Sequence, residues 1–119
     1  MSVRERFVVV PPGEGLRVSN VEFLARSEDT PLVNVAIVTV RPRASGPEMH
    51  VHAHEVDSFY VLEGELTIDA PDGSFPAPAG TFVLVPPGIE HTFSNHTDEQ
   101  VRILNVHAPA GFDLRIRED

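Results

Sequence analysis

The 119 residues predict an all-β domain, a sandwich or barrel of short strands with jelly rolls among the candidates. Three observations carry that prediction. Eight glycines and eleven prolines interrupt the chain, every eight to twelve residues along much of it. The runs between them are rich in Val, Ile, Phe, Thr and Leu, too short for helices and enriched in strand-forming side chains. No segment holds a helical period over ten or more residues, which leaves room only for a short helix near either end. In chain order, the first run is Arg6–Val10, which stops at Pro11-Pro12-Gly13. Val21–Arg26 and Leu32–Arg41 follow, the latter bounded by Pro31 and Pro42. Glu48–Ala53 begins after Gly46-Pro47, and Asp57–Glu63 runs up to Gly64. Glu63-Gly64-Glu65 joins two apolar runs, and glycine supplies the positive φ that a tight hairpin needs. Glu65–Ala70 leads into Pro71-Asp72-Gly73, which reads as the tip of the next hairpin. Thr81–Val85 lies between Gly80 and Pro86-Pro87-Gly88, and His91–Asn95 and Val101–His107 complete the set before Pro109 and Gly111.

A chain of 13.0 kDa is the size of one domain and should bury about two-thirds of its unfolded surface without staples. It has no cysteine, which excludes disulfides, thiol nucleophiles, Fe–S clusters and cysteine-ligated zinc. Nine arginines and no lysine stand against eighteen acids, for a net charge of −9. That balance argues against a nucleic-acid partner and against an anionic membrane surface, and the absence of lysine removes Schiff-base chemistry. No apolar run approaches the ~18 residues of a membrane span. The apolar stretch Phe7–Val10 is too short for a signal peptide, so the expectation is a cytoplasmic protein.

Three of the six histidines, His50, His52 and His54, alternate along an extended run. Alternate residues of a strand share a face, so all three can project to one side. A lone buried histidine is more often a hydrogen-bonded core residue than a ligand, and the run alone also suits an exposed edge strand. The spacing around it is more specific. His50-Val51-His52 is followed after four residues by Asp57 and after six more by Gly64. A second block runs Gly80, five residues, Pro86-Pro87-Gly88, two residues, His91, three residues, Asn95.

This pair of blocks resembles the two motifs of the cupin superfamily, and Phe59-Tyr60-Val61-Leu62-Glu63-Gly64-Glu65 looks like many small bacterial members. The second motif matches at every defined position. The first departs twice, with Ala44 where the family has Gly and Asp57 where it has Glu. The resemblance spans residues 44–95 and implies a double-stranded β-helix barrel over the whole chain. It also implies one divalent first-row metal held by His50, His52, Asp57 and His91. Three imidazoles and a carboxylate suit Fe, Mn, Ni, Co, Cu or Zn without selecting among them. On a six-coordinate ion they leave two positions open. Asp is one C–C bond shorter than Glu, about 1.5 Å. So either the backbone moves inward, or Asp57 acts through water, or three histidines form the site. His52 and His54 are an alternative ligand pair, although register from Gly64 favours His50 and His52.

Phe59 and Val61 share parity with Asp57, and Phe93 with His91, so these three are expected to line the cavity, with His54 at its mouth. Tyr60 and Leu62 should face the other side. Asn95, His96 and His107 read as structural or solvated residues, and the acidic residues as mainly a solvated surface. The substrate expected is a small, partly apolar organic molecule. Two chemistries fit: dioxygenase-like, resembling the flavonol-cleaving cupins, or Lewis-acid isomerase or cyclase, with Asp57 as a candidate general base. A non-enzymatic binding cupin is the competing class. A homodimer is expected, because Phe7–Val10 would otherwise leave an apolar edge exposed.

Overall fold

Nine strands, all paired antiparallel, carry the chain in a computed structural model that describes residues 3–117. They are β1 (Leu16–Val18), β2 (Val21–Ala25), β3 (Asn34–Val40), β4 (Val56–Glu63), β5 (Glu65–Ala70), β6 (Gly73–Pro78), β7 (Phe82–Val85), β8 (Thr92–Ser94) and β9 (Val101–Ala108). A 3₁₀ turn at Arg4–Arg6 precedes them and one short helix, α1 (Phe112–Arg117), follows. Two sheets result, ordered β1-β2-β3-β9-β4-β7 and β6-β5-β8. They face each other across one core, the jelly-roll barrel that the punctuation predicts.

Strand alternation explains the core. Along β3 and β9 every second residue is buried: Ala36, Val38 and Val40 on one, Val101 and Ile103 on the other. Phe59 and Val61 of β4 meet Leu66 and Ile68 of β5 from the opposite sheet, while Tyr60 and Leu62 are exposed, as parity requires. Gly64 makes the β4–β5 hairpin with φ +82°, and a Cβ there would lie 2.7 Å from the Gln100 carbonyl oxygen. Close approach and backbone conformation thus both select glycine.

Four elements differ from the sequence expectation. Arg6–Val10 forms no strand; Phe7, Val8 and Val9 are exposed, unpaired by any sheet. Leu16–Val18 is a strand that its flanking glycine and serine concealed. Glu48–Ala53 makes only an isolated bridge, His50 to His91, because Pro47 and the departing loop prevent a longer ladder. Gly73–Pro78 is a strand despite Pro76 and Pro78. It pairs with β5 alone, so the missing N–H groups fall where an edge tolerates them. Among the described residues no helix is long and apolar enough to cross a membrane.

Candidate metal centre

The isolated bridge between His50 and His91, with N–H···O distances of 3.0 and 2.9 Å, brings the two sequence blocks side by side. A further hydrogen bond, 2.8 Å from the Gly88 amide to the His52 carbonyl, continues that contact. Gly46 supports the approach from behind. It donates its N–H to the Phe93 carbonyl, and a Cβ would collide with that carbonyl and with the Phe93 ring. The glycine that the first motif lacks at Ala44 therefore has a sterically required counterpart two residues later.

His50, His52, Asp57 and His91 converge, each offering a ligand atom within 4.8 Å of the others. The orientation of each ring follows from its neighbours. Nδ1 of His50 lies 2.8 Å from the Glu48 carbonyl, and Nδ1 of His91 lies 2.9 Å from the Ile89 carbonyl. A carbonyl oxygen only accepts, so both Nδ1 atoms carry the proton and Nε2 faces the cluster. On His52, Nδ1 faces Glu55 at 3.6 Å and Nε2 faces Asp57 at 3.6 Å. That Nε2 is a buried polar atom with no hydrogen-bond partner, an arrangement that costs stability unless something binds it.

Asp57 reaches the cluster in spite of its short side chain. Its Oδ2 lies 3.0 Å from His91 Nε2, while Oδ1 accepts a 2.8 Å hydrogen bond from Asn105 Nδ2 and lies 3.2 Å from His107 Nε2. Burial pushes its pKa up, but the hydrogen bonds from His91 and Asn105 and the charge of His107 outweigh burial and hold it below its ordinary 3.8. Burial likewise pushes His91 down, yet its bonds to Asp57 and to the Ile89 carbonyl lift it above 6.5. His52 is pushed below 6.5, mainly by burial and by the nearby His107. The donors fit a divalent first-row ion, since three imidazole nitrogens and one ionised carboxylate oxygen already face one point.

His54 is exposed and stands outside this cluster, which removes the alternative pair His52 and His54. Phe59 and Phe93 adjoin the site from the core side, with ring centroids 5.6 Å apart and Phe59 6.4 Å from His91. Val61 is fully buried beyond them. The residues expected to line the pocket are Phe59, Val61, Phe93 and His54. Phe59 and Phe93 pack edge to face beside His91, Val61 is buried in the core, His54 is exposed, and none of them lines the cleft at His91. A cleft of about 140 Å³ touches His91 between β5–β6 and β7, walled by Ile68, Phe75, Val83, Val85 and Ile89. A larger one, about 490 Å³, lies remote from the cluster, between residues 8–11 and β2.

Sequence reasoning missed the part played by Glu55. His107, expected to make a structural hydrogen bond, is buried beside Asp57 with Nδ1 3.4 Å from Glu55, and Glu55, a poor substitute for Asp57 because it lies two residues early, is drawn into that contact. The parity of β9 held a signal for His107: Asn105 and His107 are polar on a face otherwise occupied by Val101 and Ile103. Asn95 is structural, as expected. Its Nδ2 donates to the carbonyls of Val40, Arg41 and Glu99, and its Oδ1 accepts from Thr97.

Comparison with known proteins agrees with this geometry. "Polyketide synthase CurC" of Streptomyces cyaneus is 33% identical over 55 residues, which are 46% of this chain and 36% of that protein, so the chain spans about a third of the relative's length. A cupin 2 conserved barrel domain protein from Salinispora arenicola superposes with a TM-score of 0.67 at 25% identity, covering 87% of this chain and 89% of the other. A sugar phosphate isomerase of the cupin superfamily from Silicibacter pomeroyi gives 0.66 at 25% identity, covering 75% and 59%. The family model described as the cupin domain matches residues 36–107, which include both motifs and all four converging donors. With more than half of its length matched by that model, the chain belongs to the cupin family.

Proposed function

We propose that this cupin is a metal-dependent enzyme acting on a small, partly apolar organic molecule that approaches the centre past His91. The observation that carries the proposal is the buried, unpartnered Nε2 of His52 aimed at the point where His50, His91 and Asp57 also present donors. A bound divalent ion would supply Lewis acidity toward a substrate oxygen, or a redox couple if the element is redox-active. The chain's own residues do the rest. Ile68, Phe75, Val83 and Val85 wall the approach, and Asp57, held ionised, would serve as the carboxylate ligand and could accept a substrate proton at Oδ2 only on leaving the ion. At about 140 Å³ the cleft has roughly five waters' share of volume, room for one ring or a short chain of the substrate.

Lewis-acid isomerisation or cyclisation is the reaction class we favour. It is supported by the apolar cleft and by the likeness to a protein named as a polyketide synthase. A phosphorylated sugar fits less well, because the arginine beside the cluster, Arg115, is paired with Glu55. The dioxygenase-like reading is kept by the donor set, which serves either chemistry. The test is elemental analysis of protein purified without chelator, beside the triple variant His50→Ala/His52→Ala/His91→Ala. One equivalent in the parent and none in the variant is expected, and the element found then selects oxygen uptake or cyclase assays. A metal-loaded protein that binds such compounds tightly without turnover would make it a binding module. No metal after reconstitution with each candidate ion would refute the proposal.

We also infer a homodimer formed through the outer face of the larger sheet rather than through a strand edge. Register places Ile37, Leu104, Tyr60 and Phe82 in one cross-strand row and Val35, Val106, Ser58 and Leu84 in the next. These rows cross four strands, which at about 4.8 Å spacing is roughly 19 Å of sheet. Phe7, Val8 and Val9 add further exposed apolar side chains to the surface of the chain.

A further inference from the structure

A second donor set lies against the first and shares a member with it: His52, Glu55 and His107, again with ligand atoms within 4.8 Å of one another. Neither the cupin motifs nor the comparisons assign it. Its geometry would suit a second cation. The acid is only slightly exposed, Oε2 of Glu55 lies 3.6 Å from His52 Nδ1 and 3.4 Å from His107 Nδ1, and two imidazoles with a carboxylate bind first-row ions. A cation is already there. Arg115, from α1, reaches across and engages both oxygens of Glu55, Nη1 to Oε1 and Nη2 to Oε2, the second at 2.8 Å. This bidentate pair is the strongest influence on Glu55 and holds its pKa below the ordinary 4.5.

The helix that delivers Arg115 is anchored independently of it. Asp113 is fully buried and accepts hydrogen bonds from the backbone N–H and the hydroxyl of Ser27. Phe112 stacks on His107 with centroids 4.4 Å apart and planes 11° from parallel, and packs edge-on against Phe23. The arginine's position is thus fixed by fold and not by the ion pair alone.

We infer that Arg115 is the resident cation of the His52–Glu55–His107 cluster and restricts the centre to a single metal ion. This rests on the reading of the first cluster as a metal site. A dication at Glu55 would face a fixed positive charge across the same carboxylate, which disfavours it; without that charge Glu55 and His107 are free to bind, with His52 bridging the two ions once its Nδ1 proton is lost.

The experiment is metal stoichiometry by elemental analysis after reconstitution with excess Zn²⁺ and desalting, on the parent, Arg115→Met and Arg115→Lys. Thermal unfolding of each metal-free protein checks that it is folded. The expected result is one equivalent in the parent, two in Arg115→Met, and one again in Arg115→Lys, where a positive charge is restored. Adding Glu55→Gln to Arg115→Met should return the count to one, which ties the second ion to this cluster and covers a destabilised single variant. A folded Arg115→Met that stays at one equivalent overturns the inference, and so does a parent that already binds two. A parent that binds none overturns the metal-site reading beneath it.

Discussion

Replacing Asp57 by Asn separates a carboxylate that binds metal from one that merely packs. The two side chains have the same shape, so the consequences follow from charge and donor direction. Asn105 Nδ2 donates to Oδ1 of Asp57 and is itself held by the Ser58 carbonyl at 2.9 Å. The amide introduced by Asp57→Asn must therefore keep its oxygen toward Asn105 and turn its NH₂ toward His91, whose Nε2 stands 3.0 Å from the present Oδ2. That NH₂ would occupy the lone pair by which His91 ligates, so the substitution removes one donor and blocks another. Loss of an outer-shell partner costs about 10–100-fold in metal affinity, so loss of a donor with a second impaired should cost at least ~100-fold, about 2.8 kcal/mol. Stability of the metal-free protein should change far less. The charge-assisted bonds of Asp57 contribute about 1.5–3 kcal/mol each, and the desolvation of a buried carboxylate offsets several kcal/mol of that. The assay is a chelator-competition titration at pH 7.5, with thermal unfolding of the metal-free proteins alongside. An Asp57→Asn protein that unfolds like the parent and binds metal within threefold of it would refute the reasoning and leave a three-histidine site.

Metal affinity should fall as pH falls, starting above 6.5. His91 has a raised pKa in the metal-free protein and must lose its proton to ligate, whereas His52, depressed by burial, competes only at lower pH. Titrations at pH 6, 7 and 8 check this, and a flat profile would exclude His91 as a ligand. Asn95→Ala should destabilise the fold by about 3 kcal/mol in urea, since it strands several buried carbonyls and the Thr97 amide; a loss under 1 kcal/mol would show that water replaces the side chain. Leu104→Arg, in the centre of the outer sheet face, should convert a dimer to a monomer in sedimentation without loss of metal. A parent that is monomeric at all concentrations would sink the dimer.

The cupin barrel was legible because its punctuation is chemically forced: Gly64 at a crowded positive-φ turn, Pro71-Asp72-Gly73 at the β5–β6 tip. The four-donor cluster was legible too, because both motifs report a local spacing. What escaped depends on contacts between distant segments. Pro76 and Pro78 look like strand breakers until the pairing shows β6 at an edge. Phe59 and Phe93 have the parity of residues around the cluster, but only the folded contacts show Phe59 packed edge to face on both Phe93 and His91. Glu55, His107 and Arg115 come from three segments up to 60 residues apart, and no spacing rule relates them.

The Asp-for-Glu departure acquires a reason from those same contacts. A Glu at position 57 would carry its carboxylate further from β4. Asp57 keeps it beside the backbone, where β9 is in register: His107 is its cross-strand partner and Asn105 pairs with Phe59. One oxygen is then committed to Asn105 and His107 while the other faces His91 and His52. The shorter acid gives up reach and gains two fixed partners on a neighbouring strand. His107, so placed, turns its other nitrogen to Glu55, and Glu55 is held by Arg115. The substitution that looks like a defect in the motif is therefore the inner end of a chain of contacts that runs from the four-donor cluster to the C-terminal helix.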